Sequence, residues 1–326
     1  MFFELKLFEA ADKPVYLRAG RQEMLYGSQR LISPLEWANT RRTFEGVKVF
    51  RQGEKWDLDT FWVQPVVPNS GELDRPDNQQ NLYGNWATYR PDKNKSIDFY
   101  LVHFSNDRHV SQLGMDRSPA EITTTGTRFL GDRDGLLWDF EAMLQAGEQT
   151  DRDLAAGAAT AGLGRSWKEA GWSPTIWAYY DYASGDKDPS SGDAHTFHHL
   201  FPFGHYYMGW MDLVGRQNIH DANLHAYIYP VPWITLWGQY HRFWLDQEKD
   251  ALYGPGGNAL RRDPTGSAGR DVGNEVGLFA NFHLTRYSDV MASYNKLYGG
   301  RFLEETAGPN GARDAESLYI IFSQRW

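Results

Sequence analysis

The chain has no cysteine, which excludes a disulfide framework and any thiolate metal site. It also has no long hydrophobic run. Nothing approaches the roughly 20 consecutive apolar residues of a membrane-spanning helix, and the richest stretch, Ala226 to Gly238, is cut by Pro230 and Pro232. With a mean hydropathy of −0.60, an α-helical membrane protein is excluded. Basic charge is short: 33 Lys and Arg stand against 42 Asp and Glu, a formal net charge of −9. That argues against a nucleic-acid partner, which requires clustered Lys and Arg. Capped segments with i, i+3, i+4, i+7 periodicity are few. No P-loop, dinucleotide fingerprint or nucleophile elbow occurs, so no enzymatic activity and no cofactor are expected.

Aromatic residues and glycine are abundant: 13 Trp, 18 Tyr, 18 Phe and 32 Gly among 326 residues. A polar chain rich in aromatics but poor in aliphatic runs has the composition of a transmembrane β-barrel, whose apolar outside and polar lumen average out. Single all-β units reach this length, so one barrel domain over residues 1–326 is expected. Period-two alternation supports this. Leu136, Trp138, Phe140, Ala142, Leu144 and Ala146 alternate with Asp139, Glu141 and Gln145; Val272, Val276, Leu278, Ala280, Phe282 and Leu284 alternate with Glu275, Asn281 and His283; Leu318, Ile320, Phe322 and Trp326 close the chain in the same manner. Such runs are longer than soluble strands and suit a tilted spanning strand.

The pattern predicts about fifteen antiparallel strands: 2–10, 14–26, 41–52, 56–67, 80–90, 95–105, 121–131, 136–148, 153–167, 172–184, 219–230, 232–246, 271–285, 287–300 and 314–326. Short turns at 11–13, 53–55, 91–94, 132–135, 168–171, 231 and 286 alternate with mostly long connections at 27–40, 68–79, 106–120, 149–152, 185–218, 247–270 and 301–313. Outer-membrane barrels keep short turns on the periplasmic rim and long loops on the other. An odd strand count leaves the two termini on opposite rims, whereas a single-chain barrel has an even number. Met1-Phe-Phe-Glu-Leu-Lys6 also has no basic region followed by an apolar core. The chain is therefore expected to be N-terminally truncated, without its signal peptide and first strands.

The segment from Leu17-Arg-Ala-Gly-Arg-Gln-Glu-Met to Arg-Arg-Thr-Phe-Glu-Gly-Val-Lys48 resembles the alginate-export family of bacterial outer-membrane barrels. Tyr180-Asp-Tyr-Ala-Ser-Gly-Asp186, Leu200-Phe-Pro-Phe-Gly-His205, Val214-Gly-Arg-Gln-Asn-Ile-His-Asp221 and Gly269-Arg-Asp-Val-Gly-Asn-Glu275 extend the resemblance over nearly the whole chain. It implies a barrel of 18 strands in the complete protein, about three of them absent here. It also implies location in the outer membrane of a Gram-negative-type bacterium, contact with outer-membrane lipid, insertion by the barrel-assembly machinery, and passage of an anionic polysaccharide or a small solute.

A polyuronate path calls for cations, and arginine binds carboxylate in two-pronged fashion while remaining charged. With the apolar set facing lipid, alternation places Lys6, Arg18, Lys48, Arg128 and Arg325 in the lumen. Arg21 is off phase with Arg18 and requires a bulge or a rim position. Arg30, Arg41 and Arg42 fall in the first long loop or its landing strand, which the resemblance places at the pore vestibule. The same alternation puts Asp98, Asp139, Glu141, Asp181, Asp221 and Glu275 inside, so the lumen is expected to be of mixed charge. Two further readings stay open: a porin of low selectivity, and a surface-binding barrel acting through loops 185–218 and 247–270.

His195, His198, His199 and His205, and Asp186, Asp188 and Asp193, crowd the longest loop. Without EF-hand spacing the acids are read as solvated loop residues, and without cysteine in an extracellular loop the histidines are not expected to form a metal site. Trp62, Trp86, Trp177 and Trp237 are candidates for the lumen, where indoles stack on sugar rings or serve packing.

Overall fold

The alternation of Leu136 to Gln149 translates directly into a two-faced strand. Asp139, Glu141, Met143 and Gln145 are buried, and Leu136, Phe140, Ala142 and Leu144 are exposed. Successive side chains point to opposite faces, and here the polar set is the covered one. Leu318, Ile320 and Phe322 are 72%, 74% and 63% exposed near the C-terminus. A soluble sheet would bury that set.

The computed structural model describes residues 1–307 and 312–325. Its strands are β1 (Phe2–Ala10), β2 (Lys13–Gln22), β3 (Phe44–Gln52), β4 (Trp56–Val67), β5 (Arg75–Pro76), β6 (Gln80–Tyr89), β7 (Lys95–Gln112), β8 (Met115–Arg133), β9 (Leu136–Gln149), β10 (Arg152–Ser166), β11 (Thr175–Ala183), β12 (Ile219–Val231), β13 (Ile234–Leu245), β14 (Ala251–Tyr253), β15 (Ala259–Arg262), β16 (Asp271–Thr285), β17 (Ser288–Gly299) and β18 (Ala315–Gln324). Two short helices, α1 (Gly204–Tyr207) and α2 (Arg301–Glu305), lie in connections. The large sheet runs in chain order from β1 to β18, with β5 appended to β4 and β14–β15 forming a separate hairpin. The chain divides into two compact units: unit 1 is Met1–Leu130, Glu141–Ala158 and Asp188–Phe203, and unit 2 is Gly131–Phe140, Ala159–Lys187 and Gly204–Trp326.

Each expected strand coincides with one strand of the large sheet, but several expectations need correction. Residues 106–120 are not a long loop: β7 and β8 run 18 and 19 residues and meet at Leu113–Gly114. The second strand stops at Gln22, because Met24 and Tyr26 leave the ladder and are buried. Val272 is buried rather than outward, since the register shifts between Phe243 and Trp244, opposite Gly273. Trp62 is 41% exposed on the same face as Leu58, so it is not in the lumen. Trp326 lies outside the described residues.

Candidate functional site on the buried face

In unit 1, cross-strand pairing sets Glu4 opposite Arg18 and Arg18 opposite Lys48. Arg18 Nη2 donates to Glu4 Oε2 at 2.6 Å, and its guanidinium carbon lies 4.2 Å from the Phe2 ring centroid. Lys48 Nζ donates to Asp59 Oδ2 at 3.1 Å. Tyr26, from the connection after β2, donates its hydroxyl to that same oxygen at 2.7 Å and packs its ring 5.4 Å from Phe61 and 5.0 Å from Trp86. Burial, reinforced by the Asp59 charge, holds the Tyr26 phenol well above the usual tyrosine range, so it stays a donor.

Arg128 Nη1 lies 3.8 Å from Asp98 Oδ2, and Arg90 Nη2 lies 2.7 Å from Asp57 Oδ2. These pairs line one cavity of about 340 Å³, in which Lys48, Arg90 and Arg128 face Asp57, Asp59 and Asp98. The cavity therefore presents cations whose partners are carboxylates on neighbouring strands. An incoming carboxylate of similar geometry can compete for them.

The connection between β2 and β3 folds back onto this face. Arg30 is fully buried, and its Nη1 donates to Glu141 Oε2 at 2.9 Å and to Ser28 Oγ at 2.6 Å. Tyr100 donates its hydroxyl to the other Glu141 oxygen at 2.9 Å. Arg42 donates to the carbonyls of Phe201 and Pro202 at 2.5 and 3.1 Å, and burial lowers its guanidinium to about 10. Arg41 is partly exposed and bridges Glu23 and Glu36, each at 3.1 Å. Arg21 sits at the loop end of β2, 3.1 Å from Glu45 and bonded to the Asp74 carbonyl.

In unit 2, Asp181 and Asp221 are direct cross-strand partners, as are Asn223 and His241, and His241 and Glu275. Two buried acids opposite one another need compensation. Arg216 Nη1 pairs with Asp181 Oδ1, and Thr160 donates to the same oxygen. Asn223 donates to Asp221 at 2.8 Å and to Asp181 at 3.4 Å, and His241 Nδ1 lies 2.8 Å from Asp221 Oδ2. The Met211 N–H donates to Glu275 at 3.0 Å. Asp139 is buried on β9.

Not every candidate joins these groups. Lys6 is exposed on β1 and bonds Glu9 at 2.6 Å. Arg325, expected within a strand, follows the last residue of β18, is exposed, and bonds the Tyr287 carbonyl through its backbone. The loop histidines have separate attachments: His195 Nδ1 meets the Ala155 carbonyl, His198 accepts from the Leu200 N–H, and His205 meets Asp212. Asp188 closes its own turn with Ser191, while the Asp186 N–H donates to Asp250. Arg90, Arg216, Tyr26 and Tyr100 were missed by pattern reading. Arg216 lies in the Val214–Asp221 segment, but only the fold reveals its acid.

The alginate export family model matches residues 1–315. No curated protein matches the chain. Among solved structures, OccK11 (OpdR) of Pseudomonas aeruginosa has a TM-score of 0.58 at 11% identity, covering 96% of this chain and 78% of its own. The outer membrane protein OprD of the same organism has a TM-score of 0.56 at 12% identity, with 95% and 75% coverage. OccAB1 of Acinetobacter baumannii has a TM-score of 0.56 at 10% identity, with 96% and 76% coverage. These likenesses show the fold, an antiparallel transmembrane β-barrel. Family and fold together point to a channel in the Gram-negative outer membrane.

Proposed function

The chain belongs to the alginate export family, and from that premise we propose that it conducts an anionic, alginate-like polysaccharide or oligosaccharide across the outer membrane. The observation that carries the reading is the cavity of unit 1, where Lys48, Arg90 and Arg128 are each held beside a carboxylate. A uronate repeat exchanges with these carboxylates one cation at a time. The acids keep a polyanion from binding too tightly, which conduction requires. The solute passes chemically unchanged and no cofactor takes part. Outer-membrane lipid covers the outward face, and the barrel-assembly machinery inserts the chain.

The same pairing favours a second reading, a porin of low selectivity, because paired charges create little net field. Planar-bilayer recording of the full chain separates the two. The first reading predicts anion preference in a KCl gradient and current interruptions by an oligomannuronate hexamer. Cation preference that is unchanged by Lys48→Ala or Arg128→Ala overturns it.

A further inference from the structure

The buried face of unit 2 carries a second kind of surface, built of rings. Trp177 and Tyr179 on β11 have centroids 5.1 Å apart with 17° between their planes. They lie flat against β10: a Cβ at Gly164 would enter the Trp177 ring, and one at Gly162 the Tyr179 ring. Tyr227, Trp237 and Phe279 form one cross-strand row over β12, β13 and β16. Their successive centroids are 6.2 and 4.6 Å apart, at 18° and 6° from parallel.

Core packing accounts for Phe279, which is 5% exposed. Trp177, Tyr179, Tyr227 and Trp237 each keep part of their surface open, although Trp210 packs 6.1 Å from Trp237 and Tyr206 bonds the Tyr227 hydroxyl. One register step toward the loops the surface turns polar, with His225 opposite Gln239 and Gly277 opposite Asn295. His225 Nε2, Gln239 Oε1 and Asn295 Oδ1 are buried with no hydrogen-bond partner among the described residues. Burying such atoms unpaired is costly, so this strip holds unused hydrogen-bonding capacity beside part-open aromatic rings. Only an amphipathic ligand uses both. A pyranose has an apolar C–H face that stacks on an indole or phenol and a rim of hydroxyls that donate and accept.

We infer that Trp177, Tyr179, Tyr227 and Trp237 form a stacking track for the pyranose rings of the conducted chain, with the His225–Gln239–Asn295 strip meeting its hydroxyls. The track rests on the reading that the solute is a carbohydrate, but it acts on ring faces rather than on charge. It therefore holds neutral and acidic sugars alike.

The test is single-channel recording of the full chain with two probes, neutral maltohexaose and an oligomannuronate hexamer. Both are expected to interrupt the wild-type current. In Trp177→Ala/Trp237→Ala channels the residence time of both is expected to fall about tenfold, equivalent to about 1.4 kcal/mol. Trp177→Phe/Trp237→Phe should recover most of it. Should the alanine pair fail to insert, Tyr227→Leu is read in the same way. Equal residence times in wild type and variant overturn the track. So does interruption by the uronate alone, which leaves the anionic-solute reading standing. Interruption by neither probe overturns both.

Discussion

Arg30 shows how strongly one residue fixes this structure. Its side chain is 0% exposed and Glu141, its partner across 111 residues of sequence, is 2% exposed. Removing one member of such a pair leaves an unpaired buried charge, at a cost of about 3–5 kcal/mol. Arg30→Ala and Glu141→Ala are each expected to lower the unfolding free energy of the micelle-bound chain, read from a denaturant titration, by that order. Arg30→Met/Glu141→Leu should cost less than either single change, because both charges leave together. A double variant as unstable as the sum of the singles would contradict the pairing. Alternation alone placed Glu141 on the polar face, and Arg30 was legible only as a loop cation. The pair itself was not legible, because it forms where a connection folds back onto a distant strand and no local spacing records that.

The elements repeat this division between local and long-range information. Strand positions follow from period two, because one face meets lipid and the other does not. The misread stretch, 106–120, holds Asn106, Asp107, Asp116 and Pro119, residues that signal a loop when a strand must be half apolar. β7 and β8 are longer than the 9–11 residues that span a bilayer. Their distal parts therefore need no apolar face, and the signal that separates strand from loop disappears there. Depth should be measurable along a single strand. Leu278, at the centre of β16, and Leu284, near its turn, are both 59% exposed. Leu278→Arg is expected to cost about 2–4 kcal/mol and Leu284→Arg about 0–1 kcal/mol in vesicle unfolding titrations. Equal costs would mean that β16 does not cross the bilayer as assigned.

The connection before α1 is expected to respond to pH. His198 packs 5.4 Å from Phe104, and its Nδ1 accepts the Leu200 N–H, which requires an unprotonated nitrogen. Burial, with Arg117 adding to it, pushes the imidazole down to about 3. When the segment lifts off, the ring returns to about 6.5. The released form thus binds the extra proton between those values. The docked segment is fully stable above about pH 6.5 and loses stability as pH falls toward 3. Because residue 198 keeps some solvent exposure, solvent trims the effect to roughly 1 kcal/mol at pH 5. Hydrogen exchange at Leu200 and Phe201 should quicken about fivefold between pH 7.5 and 5, after correction for intrinsic rates, and His198→Asn should flatten that difference. An unchanged ratio in the variant would assign the effect to another group.

At the scale of the whole molecule, the net charge of −9 looks hostile to an anion path until the charges are located. In unit 1, Lys48 and Asp59, Arg128 and Asp98, and Arg90 and Asp57 cancel within a few ångströms. The pore field therefore depends on which partner of each pair faces the ion, and formal charge says little about it. Selectivity should then respond in opposite directions to neutralising the acids and the cations. Asp59→Asn/Asp98→Asn removes the negative charge beside Lys48 and Arg128 and should move the reversal potential in a KCl gradient toward the chloride value. Lys48→Met/Arg128→Met should move it toward the potassium value. Both shifts should shrink between 0.1 M and 1 M salt, as the screening length falls from about 10 Å to about 3 Å. If neutralising the acids shifts nothing while neutralising the cations does, the carboxylates lie outside the ion's path and the exchange of partners proposed for the cavity does not occur.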